Sequence, residues 1–141
     1  MGFMLEIVTP DRAFFSDEVD MVIVRGIEGD LAVLENRAPL LTPLAIGKVR
    51  ISKDGKQRVA AIVDGYISVQ KDKTTIITDS AEWPEEIDVD RAKEAKERAE
   101  KRLKENPEGL DILRAENALK RALNRLEVAN IKKINDENFR Q

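Results

Sequence analysis

The chain has 141 residues with 24 basic and 27 acidic side chains, and its formal net charge of −3 marks no general nucleic-acid binder. It has no cysteine and no histidine, which excludes disulfides, thiolate chemistry, the usual zinc ligands and the commonest general base. No apolar run approaches the roughly 20 residues that cross a bilayer, and no signal-peptide pattern opens the chain. We therefore expect a soluble, intracellular protein without an enzyme's catalytic centre.

The chain before residue 83 alternates apolar or β-branched runs with turn residues. Extended runs cover residues 5–9, 19–24, 31–34, 49–52, 58–63, 66–70 and 74–78. The first run stops at the turn signal Pro10-Asp11, and Asp54-Gly55 is typical of a two-residue hairpin turn. Short strands at this spacing predict a sandwich or flattened barrel, and no glycine-rich phosphate loop follows any of them.

The composition changes at Trp83-Pro84. Six of the seven glycines precede this point, whereas the sequence after it is built mainly from Ala, Leu, Glu, Lys and Arg. Strand-forming sequence therefore gives way to helix-forming sequence. We predict an α+β protein, with a β domain over residues 1–84 and a helical hairpin over residues 85–141.

The hairpin is predicted from its caps and its periodicity. Asp88 is a natural N-cap, the first helix should end near Asn106-Pro107, and the second should begin at about Leu110. The short link 106–109 favours antiparallel packing. The polar tail from Ile131 is expected to fray.

Alanine dominates the predicted seam between the two helices. The apolar positions are Ala92, Ala95, Ala99 and Leu103 on the first helix and Ile112, Ala115, Leu119, Ala122, Leu126 and Ala129 on the second. Alanine permits close approach but buries little apolar area. We expect a marginally stable hairpin that can open, and amide exchange as slow as in the sheet would contradict this.

Arginines gather beside that seam. At about 100° per residue, Arg91 and Arg98 lie on one side of the first helix, and Arg121 and Arg125 share a narrow stripe with Arg114 on the second. Antiparallel packing would bring Arg91, Arg98, Arg121 and Arg125 together as a site for a polyphosphate. Alternatively, they keep a face solvated by pairing with glutamates at i,i+4 spacing. Spacing alone leaves both interpretations open.

Several segments together resemble the ε subunit of bacterial F-type ATP synthases. They are Val8-Thr9-Pro10-Asp11, residues 19–24, Gly29-Asp30-Leu31, Ala38-Pro39-Leu40, residues 43–47, Asp64-Gly65-Tyr66 and residues 118–126. Their order and spacing carry the resemblance, which extends from about residue 4 to residue 130.

This resemblance implies a β-sandwich of about ten strands followed by a C-terminal antiparallel two-helix hairpin. It also implies a non-catalytic, peripheral membrane subunit at the cytoplasmic face, in the central stalk of a proton-translocating synthase. Its partners would be the γ subunit, the membrane-embedded c-ring and the α/β catalytic head. The folded hairpin would permit turnover, and the extended hairpin would inhibit ATP hydrolysis.

Residues 87–92 match the Ile/Leu-Asp-x-x-Arg-Ala motif with which bacillus-type members bind ATP. Carried over by position, the adenine side would be lined by Glu82, Ile87, Asp88 and Ala92. The phosphates would be held by Arg91, Arg98, Arg121 and Arg125. ATP would then be a sensed ligand that stabilises the folded hairpin and is not hydrolysed.

The chain departs from the family pattern at two places, and other interpretations remain. Asn36-Arg37 stands where many members have Gly-His, and Ala32 replaces a common glycine. The proline-flanked segment 38–44 either docks on the rotor or packs on the core, and Trp83 either clamps a hinge or caps the sandwich. The alternatives in function are a stalk subunit without ATP sensing and a small β-sandwich enzyme that uses pairs of carboxylates.

Overall fold

The structure, a computed structural model, describes residues 2–105, 108 and 110–139, with side chains for 2–105, 108 and 111–131. The chain divides into two compact units, Met1–Glu82 and Trp83–Gln141. The first unit is all β and the second is helical. The predicted order of a β-sandwich followed by two helices is therefore confirmed.

Ten strands build the described part of the first unit. They are β1 (Phe3–Val8), β2 (Ala13–Val19), β3 (Met21–Gly26), β4 (Gly29–Leu34), β5 (Leu40–Leu44), β6 (Gly47–Lys53), β7 (Lys56–Val63), β8 (Gly65–Val69), β9 (Lys73–Ile77) and β10 (Ser80–Glu82). The order β10-β7-β6-β3-β4 defines sheet A, and the order β5-β8-β9-β1-β2 defines sheet B. The two sheets join where Gly26 pairs with Leu44. Strands β1 and β9 pair in parallel, and the other neighbours pair antiparallel.

The core lies between the two sheets and follows the alternation of the strands. Leu5 and Ile7 on β1 are fully buried, as are Val22 and Val24 on β3. Such a side chain contributes about 1.5–3 kcal/mol when it leaves water. Each of the seven extended runs read from the sequence overlaps a strand. Three strands, β2, β5 and β10, were not predicted.

Local chemistry explains why these strands escaped prediction. β2 is an edge strand whose sequence ends in Ser16-Asp17-Glu18-Val19, and such polar edges limit sheet-to-sheet aggregation. β5 contains Pro43, which a central strand would exclude but which an edge strand tolerates. β10 has only three residues, too few for a periodic signal.

Two turns behave as their residues predict. Asp54 and Gly55 have φ of 51° and 76°, the pair of positive values that a tight hairpin turn needs. Asn36 has φ of 66°, so asparagine adopts the left-handed conformation that glycine supplies in relatives. The neighbouring Arg37 guanidinium donates a hydrogen bond to the Ala32 carbonyl on β4.

The helical unit begins with a 3₁₀ turn (Pro84–Glu86) and continues as α1 (Val89–Lys104) and α2 (Leu110–Phe139). The predicted link residues Asn106, Pro107 and Gly109 lie outside the described residues. The expectation that the chain frays from Ile131 is wrong for the backbone, which stays helical to Phe139. No proline or glycine follows residue 109, so each added residue extends an existing helix at little cost.

Small residues fill the seam between α1 and α2. Ala92, Ala99, Ala115 and Ala122 are buried, as the predicted stripe requires. Val128 and Asn124 are also buried, although they lie off that stripe. Alanines therefore do form the buried part of the seam, but Ile112, predicted to lie in the stripe, is 38% exposed, and the seam's marginal stability stays a prediction.

The contact between Lys53 and Asp17 ties the β6–β7 turn to β2 and makes stability depend on pH. Lys53 Nζ lies 2.8 Å from Asp17 Oδ2 and the Glu18 N–H donates to Oδ1 at 2.8 Å, which together lower the pKa of Asp17 below its usual 3.8. A lowered carboxyl pKa adds stability above the unfolded value, and this is lost as pH falls through the folded value. Asp17→Asn should therefore lower the melting temperature at pH 7 but not near pH 2.

Thermal unfolding followed by circular dichroism between pH 2 and pH 7 measures this effect. Asp72→Asn is the matched control, because Asp72 makes no ion pair in the described part of the chain. A difference between wild type and Asp17→Asn that stays constant across this pH range would contradict the assignment.

Candidate functional site

The motif at residues 87–92 begins where a reciprocal pair of hydrogen bonds closes the 3₁₀ turn. The Trp83 N–H donates to Glu86 Oε1 at 3.0 Å, and the Glu86 N–H donates to the Trp83 carbonyl at 3.0 Å. Ile87 follows and is buried. Glu86 is thus a structural cap of this turn.

Asp88 starts α1. Its Oδ1 accepts the Arg91 N–H at 3.1 Å, and its carbonyl accepts the Ala92 N–H at 3.0 Å. This satisfies first-turn amides that have no partner within the helix. The predicted N-cap is confirmed. The same bond fixes the backbone of Arg91, whose side chain is exposed while Ala92 is buried.

The four predicted phosphate-binding arginines all lie on the two helices. Arg91 and Arg98 are exposed on α1, Arg121 is exposed on α2, and Arg125 is half-buried there. Within the described residues, the guanidinium groups of Arg91, Arg98 and Arg121 have no hydrogen bond or ion pair to protein, whereas Arg125 does have a polar partner. Three cations on one hairpin therefore keep their donors available.

The alternative in which glutamates neutralise these arginines does not hold for Arg98. In the described part of α1, the i,i+4 ion pair that forms is Lys96–Glu100 at 3.6 Å, and Glu94 does not pair with Arg98. Exposed pairs of this kind contribute little to stability. Glutamate pairing of this kind therefore does not neutralise Arg98.

The buried alanines give the relative height of the arginines along the hairpin. Helices in contact across the short link 105–109 must run antiparallel. Lys104 and Leu110 flank this short link and so lie at similar heights, and counting back one residue for one along each helix puts Ala92 near the height of Ala122 and Ala99 near that of Ala115. At about 1.5 Å per residue, Arg91 then falls at a height between Arg121 and Arg125, and Arg98 lies roughly 7–14 Å further along.

Glu82 is the one predicted site residue in the sheet unit. It is the last residue of β10, pairs with Ala61 of β7, and is half-buried. It has a polar interaction of its own. Ile87, Asp88, Ala92 and the four arginines all belong to the helical unit.

A second candidate site is an exposed apolar row across the outer face of sheet B. Cross-strand register aligns Pro43 with Tyr66, Tyr66 with Ile77, and Ile77 with Val8. Tyr66 and Ile77 are each 55% exposed, and Leu41, two residues before Pro43 on β5, is 71% exposed. These residues, Val8, Leu41, Pro43, Tyr66 and Ile77, form what we call the apolar row.

Burial shows which residues of the segment 38–44 pack on the core and which are exposed. Leu44 packs in the core, while Leu41 and Pro43 face outward, so the segment both packs on the core and presents an exposed apolar surface. Tyr66 and Ile77 were missed as site residues. The signal was an apolar residue at an outward position of each strand, next to buried Ile67 and Ile76.

Other chemistry finds no support in the part of the chain that the structure describes. Over these residues no group of three or more His, Cys, Asp or Glu side chains could hold a metal ion. No helix among them has the length and apolar character needed to cross a membrane.

Comparison with known proteins gives matches along most of the chain. The family described as "ATP synthase, Delta/Epsilon chain, beta-sandwich domain" matches residues 2–84, and "ATP synthase, Delta/Epsilon chain, long alpha-helix domain" matches residues 85–130. The ATP synthase epsilon chain of Alkaliphilus oremlandii is 62% identical over 101 residues, 72% of this chain and 75% of that protein. That of Caldicellulosiruptor bescii is 49% identical over 131 residues, 93% and 96% of the two chains.

Solved structures share the fold. A chain of the Euglena gracilis mitochondrial ATP synthase, in a structure of OSCP, F1 and c-ring, superposes with a TM-score of 0.75 at 24% identity, over 84% of this chain and 76% of that one. A chain from the central stalk and c-ring of the Tetrahymena thermophila enzyme gives 0.56 at 16% identity, over 94% and 96%. At these identities the likeness shows the architecture alone.

Proposed function

The chain belongs to the ATP synthase epsilon-chain family, and from that premise we propose that it is a non-catalytic subunit of the central stalk. In this role it couples the rotor to the α/β catalytic head at the cytoplasmic face of the membrane, and its helical hairpin regulates ATP hydrolysis. The observation that carries the regulatory part is that Arg91, Arg98 and Arg121, on the hairpin whose first helix Asp88 caps, have no hydrogen bond or ion pair from their guanidinium groups within the described residues.

We assign docking on the stalk to the apolar row of sheet B. An exposed apolar band that crosses four strands is unusual on a free surface and is typical of a protein interface. The proposed partners at this end of the subunit are γ and the c-ring. An aromatic and an aliphatic side chain at the centre of the band, Tyr66 and Ile77, are the natural anchors.

Ile77→Lys should weaken assembly with purified γ and c-ring by at least about tenfold, because it places a charge in the centre of the apolar contact. Leu113→Lys is the matched control, since Leu113 is 55% exposed, as Ile77 is, and lies on α2 outside the apolar row. Surface-captured γ–c-ring complex and titrated subunit provide the measurement. Equal affinities for wild type and Ile77→Lys would remove the apolar row from the interface.

The arginine site is proposed to bind ATP as a regulatory ligand. Guanidinium groups present planar forks of donors that fit phosphate oxygens, and ATP supplies several such oxygens along one chain. Arg91, Arg98, Arg121 and Arg125 would hold the phosphates, with Glu82, Ile87, Asp88 and Ala92 on the adenine side. No general base or metal is required, because the nucleotide is bound and not hydrolysed.

ATP bound in this way stabilises the folded hairpin. The four arginines repel one another across the seam, and a polyanion placed among them replaces that repulsion with attraction. Binding to the folded form alone adds about 2.7 kcal/mol when the ligand is at a hundred times its Kd.

Calorimetric titration of the full chain should give saturable one-to-one binding of ATP. Arg91→Ala should weaken it by about tenfold or more, because an arginine–phosphate contact is charge-assisted. Lys93→Ala is the control, as Lys93 is also an exposed cation on α1 but is not one of the motif's specified positions. Titration with ADP measures the contribution of the third phosphate. No binding by the intact chain would leave the alternative, a stalk subunit that does not sense ATP.

The hairpin is also proposed to inhibit ATP hydrolysis when it extends into the catalytic head. In that state the basic stripe of α2 is free to face acidic surfaces of the head. Arg114 belongs to this stripe but not to the proposed ATP site, so it separates the two roles.

Arg114→Glu should raise ATP hydrolysis by the reconstituted enzyme several-fold at low ATP, because charge reversal turns attraction to the head into repulsion. The control is Lys56→Glu, which changes the charge from positive to negative at the first residue of β7 in the sheet unit. Steady-state phosphate release is the readout. A hydrolysis rate unchanged by Arg114→Glu would count against inhibition by this stripe.

A further inference from the structure

The outer face of sheet A carries a second ordered surface, distinct from the apolar row. Cross-strand register aligns Ala32 with Ile23 and Arg50, and Leu34 with Met21 and Ser52. These residues alternate with the buried Val22, Val24 and Val33, so their side chains face outward. Ala32, Ile23, Leu34 and Met21 thus form two adjacent apolar rows.

Cations border these rows on one side. Arg25, Lys48 and Arg50 line a shallow recess together with Ile23 and Asp30. Arg25 Nε lies 3.4 Å from Asp30 Oδ1, and both side chains are 54% exposed. Arg50 has no ion pair or hydrogen bond from its side chain within the described residues. The recess therefore brings together three cations and one carboxylate.

A glycine makes room for this arrangement. A Cβ at Gly47 would lie 2.8 Å from Arg25 Cβ and 3.2 Å from its Cδ, closer than side chains tolerate. The stem of Arg25 therefore lies against the backbone of β6 at Gly47. This contact restricts the arginine before any partner arrives, and an arginine restricted in advance loses less entropy on binding.

We propose that this surface docks an acidic amphipathic helix of a partner protein. The two apolar rows match the apolar stripe of such a helix, and Arg25 and Arg50 match carboxylates along one flank of that stripe. Inorganic phosphate would satisfy the cations but leave the apolar rows uncovered. The surface lies on the outer face of sheet A and the apolar row lies on that of sheet B, so both can be occupied at once.

The test uses the full chain and two synthetic helical peptides of about 14 residues, or four turns. Both carry leucines at i, i+3, i+4 and i+7; one has glutamates beside the leucines, and the other has lysines. Amide chemical shifts of the ¹⁵N-labelled protein report where each peptide binds. We expect saturable binding of the acidic peptide with shifts confined to β3, β4 and β6, and no binding of the basic one.

Variants separate this surface from general electrostatic attraction. Arg25→Glu combined with Arg50→Glu should weaken the acidic peptide by at least about tenfold. Lys56→Glu at the start of β7, combined with Lys71→Glu between β8 and β9, makes the same change of charge elsewhere and should change affinity by less than about twofold. Leu34→Lys should also weaken binding of the acidic peptide, while Ile77→Lys should not.

The proposal would be overturned if the acidic peptide showed no saturable binding, if the basic peptide bound equally well, or if the two double variants lost equal affinity for the acidic peptide. Shifts centred on the apolar row would overturn it as well. These outcomes do not depend on assembly into an ATP synthase, so failure here leaves the proposed stalk function standing.

Discussion

The helical unit rests on an alanine seam, and the proposed regulation depends on how little that seam buries. Each of its four buried alanine methyl groups contributes about 0.8 kcal/mol, whereas a buried leucine at the same position would contribute about 1.5–3 kcal/mol. Val128 adds one larger fully buried side chain to the described part of this unit. A ligand at a hundred times its Kd adds about 2.7 kcal/mol, which is comparable with the difference at about two such positions. Alanine at these positions therefore favours the proposed control of the hairpin by binding.

The sequence predicts those features that depend on neighbours along the chain. Strand alternation, the Asp54-Gly55 turn, the Asp88 cap and the alanine stripe are local, and each is found where it was expected. Three strands were missed because β2 ends in polar residues, β5 contains Pro43 and β10 has only three residues. The helical tail was missed because polar composition does not by itself end a helix, and no proline or glycine in the tail does so either.

The candidate surfaces likewise differ in whether neighbours along the chain are enough to predict them. The arginines of the hairpin share two helices, so helical periodicity and one antiparallel link are enough to place them at related heights. The apolar row and the surface on sheet A each unite residues from several strands. Tyr66 and Ile77 are neighbours only because β8 and β9 pair in one register, and a shift by one residue would bury both. No single segment of the sequence specifies a cross-strand register of this kind.

The two outer faces of the sandwich differ in a way that bears on assembly. Sheet B presents the apolar row, and its nearby charges Lys73 and Glu6 already pair with each other at 3.3 Å. A partner on that face gains chiefly by excluding water, which suits a contact that stays formed while a rotor turns. Sheet A instead sets an unpaired arginine beside half-exposed apolar side chains, and salt weakens attraction of that kind. If both proposals hold, we expect permanent docking on sheet B and any contact made and released during regulation on sheet A.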